Sequence, residues 1–268
     1  MEANLRSRVI TALVGIPLLI LLVGWAPPWL FVTLFFSIVI GGLREYFVMA
    51  FPGRGKQQFL GIVFGICFSS LLLLTKFLAL ELGLGVLLLF FLSTYLFMEG
   101  RLEERLIRLA WSLLGALYLG YLLPHWVLLF GLFRGRAWIF FVLSVIMTGD
   151  TVAYVVGRRF GTRKLAPEIS PGKTVEGALS YVAGSMVAGF IGAKLLITEL
   201  AWLELVALAG ALSVLGQIGD LFESWIKRVF AVKDSGNLLP GHGGLLDRLD
   251  SLIFPAVFTT TYLRVFHS

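Results

Sequence analysis

The sequence predicts an all-α integral membrane protein, a polytopic helical bundle of about nine transmembrane helices with its N-terminus in the cytoplasm. Of the 268 residues, 58% are hydrophobic and only 14% are charged, and the mean hydropathy is +0.92. Soluble domains are roughly 45–50% apolar and 25% charged, so a soluble fold of this composition would lack a polar surface. Apolar runs recur at the ~20 residues needed to cross a bilayer, and basic residues fall unevenly between alternate loops.

The apolar runs are predicted to be spans in the order in which they occur. The first follows basic residues, as in a signal peptide, but it lacks a small-residue cleavage pattern, so we expect a retained first span. The single cysteine, Cys67, excludes an intramolecular disulfide and a cysteine-based metal site. The runs cover about residues 9–26, 28–48, 58–75, 79–98, 107–131, 137–157, 177–197, 201–219 and 251–267.

The distribution of basic residues predicts the orientation, because Lys and Arg are retained on the cytoplasmic side of a membrane. With the N-terminus inside, 17 of the 22 Lys and Arg residues fall on the cytoplasmic side. The five others are Lys76, Arg134, Arg136, Lys194 and Arg264. The expected location is therefore an integral membrane protein, in the inner or plasma membrane if bacterial, with its polar site facing the cytoplasm.

The acidic residues divide the chain into two functional parts. All five aspartates lie in the second half, at or near predicted cytoplasmic loops. We therefore expect residues 1–135 to be a transmembrane scaffold and residues 136–268 to be the catalytic region of one membrane domain. A homodimer through the apolar first half is left open.

The stretch from Ser224 to Asp250 combines basic residues, aspartates, a histidine and glycines. Ionisable groups at membrane depth are costly and usually mark a substrate or ion site. Five polar residues have the spacing i, i+3, i+4, i+7, i+8 and share one helix face, suited to a metal and a phosphate chain. They are Asp220, Glu223, Ser224, Lys227 and Arg228. Snorkelling could explain the two cations, but an aspartate has no long stem with which to snorkel.

Asp247 and Asp250 are three residues apart, with Arg248 beside them, and share a face if a helix starts near Gly244. Magnesium typically takes one or two carboxylates together with substrate phosphates. Asp220, Asp247 and Asp250 are therefore the predicted ligands of Mg²⁺. Capping of a helix N-terminus by an acid is the alternative, and it would account for one of them more easily than for three.

The segment SGNLLPGHGG joins the basic helix to the acidic one. Its glycines, among them Gly243 and Gly244, permit close approach of the backbone to a ligand. His242 could donate to a phosphate, act as an acid or base, or satisfy a turn carbonyl, and the sequence leaves these roles open.

A second polar region runs from Asp150 to Gly177. Asp150, Tyr154 and Arg158 have helical i, i+4, i+8 spacing, and further basic residues follow that would suit a polyanion. The run PGKT is not a phosphate-binding P-loop, because Pro167 stands where that motif needs glycine. Lys173 and Thr174 can still meet phosphate at the start of the next helix. The alternative is a basic loop that touches anionic headgroups.

These residues together resemble the signature of the phosphatidate cytidylyltransferases, also called CDP-diglyceride synthases. The similarity covers roughly residues 145–255, including Asp150, Tyr154, Gly157 and the run SPGKTVEG. The long signature is carried by Ser224, Lys227, Arg228, Lys233, Asp234, Pro240, His242, Gly243, Gly244, Asp247, Arg248 and Asp250.

The resemblance implies that CTP and phosphatidic acid, held at the lipid bilayer, give CDP-diacylglycerol and pyrophosphate with Mg²⁺. No nucleic-acid partner is expected. The expected catalytic residues are Lys227, Arg228, His242 and Asp247. The expected substrate-binding residues are Asp150, Tyr154, Lys173, Thr174, Ser224, Lys233, Asp234, Gly243, Gly244 and Arg248.

Two other functions compete with this one. A different lipid-linked phosphotransferase would also combine carboxylates and cations, but the aspartate pattern of the CDP-alcohol phosphotransferases is absent. A transporter or channel could also place acids at membrane depth. It does not explain why charged groups concentrate on one side.

Overall fold

The structure is a computed structural model that describes residues 15, 17–74, 77–236, 238 and 243–267. Residues 17–25 are helical, and nine α-helices lie between Pro28 and Phe266 in the described part of the chain. The helices are α1 Pro28–Ala50, α2 Gly55–Leu74, α3 Phe77–Leu96, α4 Leu102–Gly115, α5 His125–Phe130, α6 Gly135–Phe160, α7 Val175–Leu195, α8 Trp202–Val229 and α9 Asp250–Phe266. The predicted all-α bundle is confirmed.

Seven stretches of the described residues are helical, long and apolar enough to cross a bilayer. They comprise α1, α2, most of α3, the stretch from α4 to α5, α6, α7 and α8. Helix α9, with 17 residues, is at the lower limit of a spanning helix. The first predicted span lies partly outside the described residues, so the count of nine spans stays a prediction.

The span predicted near residues 107–131 is interrupted by a π-helical segment, Ala116–Leu122, between α4 and α5. Its Gly120 packs directly on the backbone of Gly65 in α2, where a Cβ would lie 2.6 Å from the Gly65 Cα. Ser69 donates a hydrogen bond of 2.6 Å to the Gly120 carbonyl. This hydrogen bond ties the π-helical segment to α2.

A two-stranded antiparallel hairpin follows α6, where no strand was predicted. Its strands are β1 Lys164–Ala166 and β2 Ser170–Thr174, with Lys164 opposite Thr174. Thr174 then caps α7, since its Oγ1 accepts a hydrogen bond of 3.1 Å from the Gly177 amide. The hairpin lies at the C-terminal end of α6 and contacts α7 and α8.

In the second half of the chain, α6 packs on α7, α7 on α8, and α8 on α9. One hydrophobic core joins the two halves of the chain, since it contains Leu43 of α1, Val142 of α6 and Ile253 of α9. The C-terminal ends of α1, α6 and α8 and the N-terminal end of α9 therefore meet on one side of the bundle, and this side carries the polar residues.

Candidate active site

A cavity of about 670 Å³ opens between α6, the hairpin, α7 and α8. Polar residues from all four elements line it, together with Gly157 of α6 and Gly177 of α7. The polar and basic lining includes Asp150, Tyr154, Arg158, Lys164, Lys173, Thr174, Tyr181, Gln217 and Asp220. The structure thus brings together the second polar region of the sequence and the start of the predicted α8 face.

Within the cavity, Lys173 and Asp220 form an ion pair of 2.5 Å between the hairpin and α8. Ser224, one turn further along α8, donates to the same carboxylate over 3.5 Å. On α6, Arg158 donates to the Tyr154 hydroxyl over 3.1 Å. The helical spacing predicted for both regions is confirmed, and Lys173 lines the cavity beside Asp220.

Lys227 lies about 10 Å further along α8 than Asp220, since seven helical residues rise 1.5 Å each. Its ammonium group pairs with Glu223 over 2.5 Å and with Asp247 over 2.6 Å. Glu223 is fully buried, and only 13% of the Lys227 side chain is exposed. These two carboxylates hold the ammonium group in one position. Lys227, Glu223 and Asp247 together form the Lys227 cluster.

Asp247 lies outside the spanning helices and is held by donors on two sides. Its Oδ1 accepts from Lys227, and its Oδ2 accepts from the amides of Gly244 and Ser235 over 2.8 and 3.0 Å. Burial raises the pKa of the Asp247 carboxyl, but these hydrogen bonds outweigh it and hold that pKa below its usual range. Asp247 is therefore an anion at neutral pH.

The α-helix predicted to start near Gly244 starts instead at Asp250, after a 3₁₀ turn over Leu246–Arg248. The prediction that Asp247 and Asp250 share one α-helical face is wrong, because the loop amides draw Asp247 into the turn. Asp250 is buried and lies within electrostatic range of Asp220, Lys227 and Lys173. It therefore interacts electrostatically both with charged residues of the cavity and with Lys227.

The predicted Mg²⁺ ligands do not form one group. Among the described residues, no three His, Cys, Asp or Glu side chains are close enough to hold one ion. Asp220 and Asp250 interact electrostatically, whereas Asp247 pairs with Lys227 and accepts hydrogen bonds from the loop amides. Since Mg²⁺ needs only one or two carboxylates beside substrate phosphates, the oxygen donors of Asp220 and Asp250 fit this ion chemically.

Several predicted site residues lie at the edge of these groups. Arg228 is directed to the hairpin, where it donates to the Ile169 carbonyl over 3.1 Å. The Thr174 hydroxyl is used for helix capping, so a contact with substrate stays a prediction. Lys233, Asp234 and Arg248 are exposed.

The glycines of the loop next to Asp247 pack tightly against that carboxylate, and the predicted approach of a ligand to their backbone stays a prediction. Gly243 has a φ of +80°, a conformation that favours glycine, and a Cβ there would lie 2.9 Å from Asp247 Oδ2. Gly244 is buried and donates its amide to Asp247. His242 lies outside the described residues.

Glu45 of α1 contacts this same loop and was not among the predicted site residues. Its carboxylate accepts hydrogen bonds from Ser235, Leu245 and Leu246. An acid near the end of an apolar helix was a possible signal. Its partners lie 190 to 201 positions away, so no local spacing reveals them.

The fold and the site define an integral membrane protein that gathers cations and carboxylates at one end of a helical bundle. The chain belongs to the cytidylyltransferase family, whose model matches residues 6–266.

Several relatives carry the name phosphatidate cytidylyltransferase. The protein of Brucella abortus biovar 1 is 34% identical over 98% of this chain and 95% of its own length. The Bacillus subtilis protein is 42% identical over 57% of each chain. The Staphylococcus saprophyticus protein is 45% identical over 45% of this chain and 46% of its own.

Proposed function

We propose that this protein transfers the cytidylyl group of CTP to phosphatidic acid, giving CDP-diacylglycerol and pyrophosphate. The observation that carries the proposal is the charged cavity at one end of a membrane bundle, in a chain of the cytidylyltransferase family. CTP is a water-soluble polyanion, whereas phosphatidic acid stays in the leaflet. Their common site must therefore lie where the bundle meets water.

The residues of the site suit this chemistry. The phosphate of phosphatidic acid is already an anion, so it can attack the α-phosphorus of CTP without a strong base. The new P–O bond forms as the bond to pyrophosphate breaks, and the protein mainly positions the reactants and neutralises charge. Lys173 and Lys227 would bind phosphate oxygens. Asp247, an anion held by loop amides, would keep Lys227 in place.

Mg²⁺ is part of the proposal. Asp220 and Asp250 would hold it, and the ion would neutralise the triphosphate and the pyrophosphate leaving group. Lys173 now pairs with Asp220, so this lysine is placed to exchange a carboxylate for a phosphate when the nucleotide enters.

The proposed orientation places the site in the cytoplasm. The connections between α1 and α2, α3 and α4, α6 and α7, and α8 and α9 lie on the side of the site, because successive spans alternate in direction. Most Lys and Arg residues of the sequence lie in or next to these connections. CTP would therefore enter from the cytoplasm.

Transport is disfavoured by the helices beneath the site. Residues 137–149 of α6, 177–193 of α7 and 205–219 of α8 contain no Asp, Glu, Lys or Arg. A path for ions or charged solutes across the bundle would need polar groups along these stretches.

The test supplies purified protein with labelled CTP, Mg²⁺ and micelles containing phosphatidic acid, with and without EDTA. We expect label in the lipid phase together with an equal amount of pyrophosphate, and loss of both with the chelator. The variant Asp247→Asn, which removes a charge from the Lys227 cluster, should lose most of this transfer. Glu99→Gln, which changes an exposed acid in the connection between α3 and α4, should behave like wild type.

Folded wild-type protein that puts no label into lipid would overturn the proposed function. Transfer that persists in EDTA would overturn the Mg²⁺ requirement and leave the rest standing.

A further inference from the structure

Glu45 is a buried carboxylate of α1, in the half of the chain that was expected to be scaffold. Only 9% of its surface is exposed. Its Oε1 accepts a hydrogen bond of 2.9 Å from the Leu245 amide. Its Oε2 accepts from the Leu246 amide over 2.9 Å and from the Ser235 hydroxyl over 3.0 Å. A buried carboxylate is costly unless donors surround it, and here all three donors come from the loop between α8 and α9.

Two glycines make room for this carboxylate. A Cβ at Gly236 would lie 2.7 Å from Glu45 Oε1, and a Cβ at Gly244 would lie 2.7 Å from Oε2. Both distances are shorter than a side chain tolerates, so the backbone can surround the acid only with glycine at these positions. Residues 235–236 and 244–246 are called the loop neck below.

Asp247 holds the loop neck from the opposite side. Its Oδ2 accepts from the amides of Ser235 and Gly244. Ser235 therefore contacts both acids, with its hydroxyl on Glu45 and its amide on Asp247. The other oxygen of Asp247 binds Lys227. Direct contacts thus lead from Glu45 through Ser235 and Asp247 to Lys227.

We infer that Glu45 is a positioning residue. Its carboxylate holds the two segments of the loop neck together and so orients Asp247 and Lys227. The reaction that this orientation serves rests on the proposed function. Glu45 acts through Ser235 and the loop amides and needs no contact with substrate.

Glu45→Gln is the sharpest variant, because it keeps the size of the side chain and exchanges one oxygen for an NH₂ group. Oε1 faces the Leu245 amide and Oε2 faces the Leu246 amide. Whichever way the new amide turns, its NH₂ group opposes a backbone N–H, and one donor is left without an acceptor. The matched control is Glu81→Gln, an exposed acid of α3.

The first readout is hydrogen exchange of peptides that cover residues 243–247, measured in detergent without substrate. We expect exchange in Glu45→Gln to be at least about tenfold faster than in wild type, because the neck amides lose a buried acceptor. Peptides from α6 and α7 should exchange as before. Glu81→Gln should match wild type everywhere.

The second readout is the split between kcat and KM. In folded Glu45→Gln we expect kcat for cytidylyl transfer to fall at least about tenfold, with KM for phosphatidic acid changed by less than about twofold. A residue that only stabilised the fold would lower the yield of folded protein and leave kcat per folded molecule unchanged. Wild-type exchange and kcat in folded Glu45→Gln would overturn the inference.

If Glu45→Gln does not fold, Ser235→Ala removes one of the three hydrogen bonds and keeps the Ser235 amide on Asp247. A smaller rise in exchange, about threefold over the same peptides, is then expected, and unchanged exchange would overturn the inference. A wild-type protein without cytidylyl transfer would refute the proposed function, while the exchange data would still decide whether Glu45 holds the neck.

Discussion

At the scale of single residues, Lys227 pairs with two acids from different parts of the chain. Glu223 lies one turn before it on α8, and Asp247 lies in the 3₁₀ turn before α9. Removing one partner of a buried ion pair leaves an uncompensated charge, which is strongly destabilising. The ammonium group therefore ties the turn before α9 to α8.

Lys227→Met removes the proposed phosphate-binding charge and leaves two carboxylates without their shared cation. Breaking a buried ion pair costs about 3–5 kcal/mol. We therefore expect kcat/KM for CTP to fall at least about 100-fold. Activity is measured on monodisperse protein in micelles. The control is Lys194→Met, whose ammonium group lies over the Phe190 ring at the other end of α7. Wild-type activity in Lys227→Met would remove Lys227 from the site.

At the scale of elements, the approach of α8 to α9 decides how close Asp220 and Asp250 come. Gly219 of α8 lies against the first turn of α9, where a Cβ would lie 3.2 Å from the Asp250 carbonyl carbon and closer still to its oxygen. A Cβ at Gly216 would lie 3.2 Å from the Ser251 carbonyl oxygen. Glycine at these two positions lets the helices pack backbone to backbone.

Gly219→Ala should push α8 away from α9, lowering the melting temperature in detergent and the transfer activity together, since overpacking costs about 1–3 kcal/mol. Gly210→Ala on the same helix is the matched control. The nearest atom to its added Cβ is Met186 Cγ at 3.8 Å, and alanine favours a helix over glycine. Equal melting temperatures and activities in the two variants would contradict the close contact.

At the scale of the whole molecule, the charged groups of the site lie on one side of the bundle and apolar helix segments lie beneath them. Such an arrangement keeps the charged site out of the hydrocarbon core, while the helices that form the site remain in contact with lipid. The distribution of Lys and Arg between the loops predicts that the site faces the cytoplasm.

A cysteine-labelling experiment tests this orientation in a Cys67→Ser background. The first variant is Gly172→Cys, at a position in the hairpin with open space for a side chain. The second is Phe133→Cys, in the connection between α5 and α6, where the native phenylalanine is 85% exposed. In intact spheroplasts, a membrane-impermeant maleimide should label Phe133→Cys at once. It should label Gly172→Cys only after permeabilisation. The reverse order would place the site outside.

The sequence by itself determined the membrane class, the all-α fold and the polar face of α8. Each follows from composition or from a repeat of about 3.6 residues, which local backbone geometry imposes whatever the partners are. The helical grouping of Asp150, Tyr154 and Arg158 was predictable for the same reason.

Tertiary structure alone decided the partners of these residues. The hairpin brings Lys173 onto Asp220, the 3₁₀ turn directs Asp247 to Lys227, and Glu45 of α1 reaches a loop 190 to 201 positions away. Such contacts depend on how helices pack and on which buried carboxylate finds donors, because a buried acid must be satisfied by whatever the fold places beside it. The spacing of residues along the chain therefore does not predict these contacts.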